Sequence, residues 1–155
     1  MTVTSSDFEN NQMIPKRHTG FGDDLSPELV LKDMPEETVS VAIIMDDLDV
    51  PFVREFPHWI IWNIPPVSVI PQGIPKGKAI NTPFSAFQGK AWGKHVYRGP
   101  KQPPFIRKAH RYRFSVFALD AMLGISPDAG KARLLKAMSG HVLAKTEISG
   151  IYEPS

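Results

Sequence analysis

Four ionisable side chains lie at or near the ends of three stretches with the apolar alternation of β-strands. Residues 39–51 read VSVAIIMDDLDVP, and their apolar alternation runs out at Asp47. His58 begins a second apolar stretch, HWIIWNI, and His110 begins a third, HRYRFSVFAL, which also contains Tyr112. Carboxylate, imidazole and phenol groups can donate and accept hydrogen bonds and can transfer protons. The three stretches therefore predict a shared polar site at strand ends.

Strand alternation decides which of these side chains can meet, because residues two apart share one face of a strand. One face of the first strand carries Val39, Val41, Ile43, Met45 and Asp47, and one face of the second carries His58, Ile60, Trp62 and Ile64. On the third strand, His110 and Tyr112 share a face with Phe114, Val116 and Ala118, and the other face carries Arg111, Arg113 and Ser115. A carboxylate at the rim of a buried face needs hydrogen-bond donors. If the loop of residues 48–57 returns the chain antiparallel, Asp47 and His58 share one rim with the start of the third strand.

Composition limits the class of protein. A chain of 155 residues fits one domain, and 42% hydrophobic with 22% charged residues are globular values. We therefore expect a single domain over residues 1–155, with residues 1–20 as an N-terminal arm or edge strand. A net charge of +2 argues against nucleic acid as a partner. With no cysteine, no signal-peptide pattern and no apolar run of membrane-spanning length, we expect a cytoplasmic protein without an integral membrane segment.

Proline and glycine predict a rigid loop before the third strand, here called the lip. The segment GKHVYRGPKQPP, residues 93–104, contains Gly99-Pro100 and Pro103-Pro104, which restrict the backbone. Gly99 lacks the side chain that would keep a ligand away from the main chain. Residues 76–93 contain several glycines and show no strong periodicity. This pattern is typical both of a functional loop and of an ordinary surface loop.

A helix and a last strand are expected near the C-terminal end. Ser126 as N-cap with a proline after it predicts the helix start, and Gly140 predicts its end. The apolar stripe of this helix is Leu134, Leu135 and Met138. Residues 142–152 alternate as a final strand.

Five short motifs, in fixed order, resemble those of one protein family. They are Asp47-Leu48-Asp49-Val50-Pro51, His58-Trp59, Tyr97 to Pro104, His110-Arg111-Tyr112 and Gly140 to Ala144. They are similar to the family stretches D-P-D-A-P, H-W, Y-x-G-P-x-P-P, H-R-Y and G-H-V-L-A. The chain thus resembles the phosphatidylethanolamine-binding protein family, which includes Raf kinase inhibitor proteins, and above all its short prokaryotic branch. Leu48 in place of proline, and one extra residue between Gly99-Pro100 and Pro103-Pro104, depart from the family pattern.

The resemblance implies a fold and a ligand site. The fold would be mainly β, an antiparallel core in which a large sheet packs on a smaller one, with few short helices. The site would be a pocket for a small anion or a phosphate-bearing group such as a phospholipid headgroup, with no cofactor. Its residues would be Asp47, His58, Gly99, Pro100, His110 and Tyr112, bordered by Asp49, Pro51, Trp59 and Tyr97. The resemblance also implies two kinds of partner, a kinase or protease that the protein inhibits and a second copy in a homodimer.

Two enzyme classes compete with a binding role. Asp47, His58 and His110 have the composition of a non-haem iron site, but the clustered H-x-D motif of many such sites is absent. A hydrolase would need a nucleophile, and neither Ser85 nor Ser115 lies in a nucleophile elbow. We therefore favour binding over turnover.

The remaining ionisable residues divide into two groups. A solvated face and an anion-attracting lip are equally good interpretations of six basic residues, Arg98, Lys101, Arg107, Lys108, Arg111 and Arg113. Three other histidines, His18, His95 and His141, are interpreted as structural or surface residues.

Overall fold

The computed structural model describes residues 1–154 and contains ten strands in two sheets. In chain order the strands are β1 (Thr2–Thr4), β2 (Gln12–Met13), β3 (Leu29–Lys32), β4 (Ser40–Asp47), β5 (Phe56–Ile64), β6 (Val69–Ile70), β7 (Ala79–Ile80), β8 (Ala86–Gln88), β9 (His110–Leu119) and β10 (Val142–Tyr152). Helix α1 (Lys131–Met138) lies between the last two strands, and a 3-10 turn covers Lys16–His18. The expectation of a mainly β fold with few short helices is confirmed.

The larger sheet has seven strands in the order β2-β10-β9-β4-β5-β8-β7, and the smaller has the order β1-β3-β6. Neighbouring strands are antiparallel except for β2 and β10. The first residues of the chain supply edge strands to both sheets, since β1 borders the smaller one and β2 the larger.

Both faces of the larger sheet are covered by apolar packing. On one face, Ile43 and Phe114 belong to a buried cluster that includes Leu29 and Leu31 of the smaller sheet. On the other face, Ile44 and Trp62 cluster with side chains of α1. The polar site can therefore form only beyond the ends of the strands.

Strand β5 departs from simple alternation, and this corrects the face predicted for two of its side chains. Ile60 and Trp62 pack on the α1 side, whereas Ile64 packs between the sheets. The pairing register with β4 shifts twice, once near each end of β5, and Asn63 has a φ of +58°. Because a bulge places two consecutive residues on one side, His58 joins the face of its neighbour Trp59. The predicted meeting of His58 with Asp47 occurs, but through a shifted register.

Strands β9 and β10 have the predicted bounds, but the helix starts later than expected. Gly130 stands at the N-cap of α1, and Ser126 instead closes a local turn by accepting a hydrogen bond from the backbone N–H of Asp128 at 3.1 Å. Leu135, expected on the buried stripe, is 44% exposed, whereas Leu134 and Met138 are buried. A Ser-Pro-Asp sequence suits a turn as well as a helix start, and here the turn is formed.

Candidate ligand-binding site

A pocket lies where β4 ends and where β5 and β9 begin. Because β4 is antiparallel to both β5 and β9, the last residues of β4 lie beside the first residues of β5 and β9. The pocket has a volume of about 230 Å³. Its lining consists of Asp47, Val50, Pro51, Phe56, His58, Trp92, Lys101, Gln102, Pro103, Ile106, His110 and Tyr112.

Asp47 and His110 form a buried pair in this pocket. Nδ1 of His110 donates to Oδ2 of Asp47 at 2.8 Å, and the backbone N–H of Asp49 donates to Oδ1 at 2.9 Å. Both Asp47 and His110 are at most 5% exposed. Since a carboxylate only accepts, this hydrogen bond holds the proton on Nδ1 of His110 and leaves Nε2 for another partner.

His58 is held by the backbone on the other side of the pocket. Its Nδ1 donates to the carbonyl oxygen of Arg98 at 2.6 Å. Burial lowers the pKa of His58 from its ordinary value, although this hydrogen bond and the nearby Asp47 work in the opposite direction. A neutral His58 therefore presents the lone pair of Nε2 as an acceptor.

Tyr112 lies directly opposite Asp47 in the pairing of β4 and β9. Burial raises the pKa of its phenol, and the negative charge of Asp47 and a hydrogen bond with that carboxylate raise it further. Tyr112 therefore stays neutral at physiological pH and can donate its O–H. Its ring lies 5.4 Å from that of His58, centroid to centroid.

Gly99 and Pro100 stand behind the pocket rather than in its lining. The N–H of Gly99 donates to the carboxylate of Asp24 at 2.8 Å, so this predicted ligand donor is already engaged. The carbonyl of Pro100 accepts from the N–H of Gly20 at 2.8 Å. A Cβ at Gly99 would collide with the backbone oxygen of His18, so the glycine is needed for close packing of two loops. Both residues position the lip that carries Lys101 and Gln102.

Of the four predicted border residues, the structure brings only Pro51 to the pocket surface. Tyr97 is buried and donates its O–H to the backbone oxygen of His18 at 2.7 Å. Trp59 is buried and donates Nε1–H to Gln88 at 2.8 Å. Asp49 pairs with Arg111, whose guanidinium lowers the pKa of that carboxyl. These three residues support the walls from behind.

Six further pocket residues were not predicted from the sequence. They are Phe56 at the start of β5 and the loop residues Val50, Trp92, Gln102, Pro103 and Ile106. Lys101, which the sequence placed among the basic residues around the lip, also lines the pocket. Trp92 had a sequence signal, because a tryptophan beside Gly93 in a polar, aperiodic segment has no obvious core to enter. Trp92 is 41% exposed, and its ring lies 5.0 Å from that of His58, centroid to centroid.

The model of the phosphatidylethanolamine-binding protein family matches residues 4–153 of the chain. The chain belongs to this family. A UPF0098 protein of Pyrococcus horikoshii is 43% identical over 150 residues, which cover 96% of this chain and 75% of that one. A UPF0098 protein of Chlamydia muridarum is 38% identical over 154 residues, with 99% of each chain covered.

Two solved structures extend the likeness to three dimensions. The crystal structure of a phosphatidylethanolamine-binding protein homologue from Chlamydia trachomatis has a TM-score of 0.87 and 34% identity, covering 99% of this chain and 97% of that one. YbcL of E. coli, described as a member of the mammalian family, has the same TM-score of 0.87 at 27% identity, covering 99% and 98%. Both support the two-sheet fold of this phosphatidylethanolamine-binding protein family member.

The basic residues near the pocket of this family member differ in their surroundings. Lys101 lines the pocket, and Arg98 stacks its guanidinium 4.0 Å from the centroid of Trp92. Arg107 and Lys108 are exposed, and Arg111 is paired with Asp49. Arg113 lies on the α1 side of the sheet, beside Asp46 and Lys131. The interpretation that all six basic residues surround the lip is therefore wrong for Arg113.

On that opposite side, an ion-pair network backs the pocket. The buried carboxylate of Asp46 lies 2.9 Å from Nζ of Lys131 and 3.4 Å from Arg113. Glu55 bridges the same two cations at 2.8 and 2.7 Å. Hydrogen bonds from Lys131, which has the larger effect, and from Arg113 lower the pKa of Glu55 to about 2. The network ties α1 to the strands whose neighbouring residues form the pocket.

The other histidines lie outside the pocket lining. His18 is buried against the backbone oxygen of Leu25, His95 contacts that of Gln88, and the half-exposed His141 pairs with Asp120. Each has a structural partner, in line with the sequence interpretation.

The donor set limits what the pocket can do chemically. Nδ1 of both lining histidines and both oxygens of Asp47 are engaged by protein groups. Within residues 1–154, no group of three or more His, Asp or Glu side chains is placed to hold a metal ion. The lining contains no serine, threonine or cysteine that could act as a nucleophile. The arrangement is suited to holding and orienting a ligand by hydrogen bonds.

Proposed function

We propose that this pocket binds small anions, with phosphate and its monoesters as the ligand class. The observation that carries the proposal is the buried hydrogen bond of 2.8 Å between Asp47 and His110. It fixes the imidazole with Nε2 left for a ligand, and the neutral Tyr112 has an O–H donor in the same pocket. Hydrogen bonds to a charged group are about twice as strong as those between neutral groups.

The acceptors in the pocket favour a protonated phosphate over the dianion. Nε2 of neutral His58 accepts, and the buried side-chain oxygen of Gln102 has no hydrogen-bond partner within residues 1–154. The amide nitrogen of Gln102 donates to the backbone oxygen of Tyr152 at 2.9 Å, which fixes the orientation of the amide. A phosphate monoanion carries the O–H that such acceptors need, and it repels Asp47 less than a dianion does.

The lip adds a favourable field at the entrance. Lys101 is the cationic side chain in the lining, and the exposed Arg107 and Lys108 follow on the same loop. Cations around a low-dielectric opening raise the local concentration of anions. The lip therefore supports capture, whereas the buried groups supply orientation.

The test is titration of isotopically labelled protein with inorganic phosphate near pH 6, followed by NMR. Saturable shift changes at the imidazoles of His58 and His110 and at Tyr112 are the expected result. His141 is the internal control, since its Nδ1 also lies 2.8 Å from a carboxylate but outside the pocket. Shift changes at the control histidine alone, or none at all, would contradict the proposal.

A second candidate is regulation of a partner kinase or protease. Two aromatic side chains beside the mouth favour it, since Phe52 is fully exposed and Phe105 is 85% exposed. Exposed apolar groups around a polar pocket are typical of protein contacts. A phosphopeptide should then bind more tightly than free phosphoserine, and the gain should disappear in the double variant Phe52→Ser, Phe105→Ser. Equal affinities of the two ligands would count against this role.

Two further expectations stay predictions. They are a homodimer and a cytoplasmic location. No helix within residues 1–154 is long and apolar enough to cross a membrane.

A further inference from the structure

Trp92 occupies a backbone position that tryptophan seldom adopts. It has a φ of +52°, and the next residue, Gly93, has a φ of +71°. The two form a tight turn closed by a bridge between Ala91 and Lys94, whose backbone hydrogen bonds measure 3.1 and 3.0 Å. Turns with positive φ at both central residues prefer Asn-Gly, and a bulky residue at the first position is strained. Strain of this kind is kept where the side chain has a task.

The indole of Trp92 is fixed from several sides but not covered. The ring of Phe56 meets it edge-on at 5.5 Å, and the ring of His58 lies 5.0 Å away. The guanidinium of Arg98 stacks 4.0 Å from its centroid and also donates to the Trp92 carbonyl oxygen at 3.3 Å. Even so, the residue is 41% exposed and lines the pocket.

Aromatic rings continue from this indole to the groups that would hold the anion. His58 lies next to Trp92 on one side and next to Tyr112, at 5.4 Å, on the other. The pocket of about 230 Å³ is larger than one tetrahedral anion needs, and six lining residues are apolar: Val50, Pro51, Phe56, Trp92, Pro103 and Ile106. An inorganic anion would leave this apolar wall without a partner.

An aromatic wall can bind a cation or a flat neutral ring, and the charges here decide between them. Arg98 already places a cation against Trp92, and Lys101 adds another in the lining. A ligand ammonium group would be repelled by both. A neutral aromatic ring can instead pack edge-to-face or offset-stacked against the indole.

We propose that Trp92 makes the pocket selective for aryl phosphates, in which the phosphate is joined to a planar aromatic ring. The inference rests on the proposed anion binding and adds the group beyond the phosphate. Trp92 is a specificity-determining residue in this account, since it contacts the ring and not the anion.

The experiment is isothermal titration of the full chain with phenyl phosphate, cyclohexyl phosphate and inorganic phosphate. Phenyl phosphate should bind roughly three- to tenfold more tightly than the other two, which is the range for one aromatic pair. Trp92→Asn keeps a residue that tolerates positive φ, so the variant should fold. Its affinities for phenyl phosphate and cyclohexyl phosphate should be about equal, because the aromatic partner of the phenyl ring is gone.

Phe105→Asn is the matched control, because it removes an exposed aromatic ring that directly follows the lip and is not in the pocket lining. It should leave all three affinities unchanged. Equal affinity for phenyl and cyclohexyl phosphate, or an aryl preference that survives Trp92→Asn, would overturn the role of Trp92 while leaving anion binding intact. No binding of any of the three ligands would overturn both proposals.

Discussion

Nδ1 of His58 lies 2.6 Å from the carbonyl oxygen of Arg98, and this contact decides what His58 can offer a ligand. A carbonyl only accepts, so the neutral ring carries its proton on Nδ1 and an electron pair on Nε2. Burial lowers the pKa of His58 and favours this neutral form. His58 can become a donor to an anion only by taking up a proton.

The first prediction is that anion affinity increases as pH falls. A fully ionised anion has no proton for Nε2 of His58 to accept, so it stabilises protonated His58 instead, and the pKa of His58 is higher in that complex than in the free protein, where burial lowers it. Between those two values binding takes up a proton, and affinity should rise by up to about tenfold per pH unit. Sulfate is the suitable probe because it stays ionised, and isothermal titration from about pH 8 to about pH 5.5 spans the ordinary histidine pKa.

His58→Gln is the variant that tests the origin of this pH dependence. It should bind sulfate weakly and with a flatter pH profile. A profile as steep as that of the unaltered protein would assign the proton to another group.

The second prediction concerns Gly99, whose close packing the structure explains without a bound ligand. Gly99→Ala places a Cβ against the backbone oxygen of His18 and 2.7 Å from the Asp24 carboxylate. Overpacking of this kind lowers the free energy of unfolding by about 1–3 kcal/mol. Urea unfolding measures the change.

Gly124→Ala is its control, since a Cβ at Gly124 meets nothing within 4 Å. It should change stability little. If the two variants unfold at the same urea concentration, Gly99 is not needed for packing, and a direct role at the ligand would regain support.

The third prediction uses the acid sensitivity of the network behind the pocket. Lys131 and Arg113 lower the pKa of Glu55 to about 2, below the ordinary value of 4.5. A lowered carboxyl pKa contributes stability that is complete above the unfolded-state value and is lost as pH falls through the folded one. The contribution of Glu55 should therefore be constant above about pH 4.5 and decline toward pH 2.

Glu55→Gln should then be less stable than the unaltered protein at neutral pH, and the difference should shrink on acidification. Denaturant unfolding at several pH values gives the curve. Glu36→Gln is the control, because Glu36 is exposed and forms no ion pair within residues 1–154. A difference for Glu55→Gln that stays constant with pH would contradict the role of these ion pairs.

The sequence predicted the strands of the site better than its loops. Apolar alternation and an abrupt change to charged residues placed the start of β9 at His110 and the end of β4 at Asp47, both as observed. Long-range pairing of β4 with β9 then brings Tyr112 opposite Asp47. Alternation failed on β5, because a register shift depends on the partner strand and leaves no period in the sequence.

Loop residues were harder to predict because their positions depend on contacts from distant segments. The N–H of Gly99 looked available in the sequence, but Asp24, 75 residues earlier, accepts it. Trp92 reaches the pocket through a two-residue turn that a local pattern of Trp-Gly does not specify. Such positions follow from tertiary packing and not from local propensity.

The most direct test of the account is the affinity for inorganic phosphate of His110→Ala, measured by isothermal titration beside the unaltered protein and His141→Ala. The two histidines make the same 2.8 Å contact with an aspartate, one buried in the pocket and one half-exposed outside it. Circular dichroism first establishes that each variant is folded. We expect His110→Ala to weaken binding by roughly tenfold or more, the loss for one hydrogen bond to a charged group, and His141→Ala to leave it unchanged. Unaltered affinity in a folded His110→Ala variant would contradict the assignment of this pocket as the anion site.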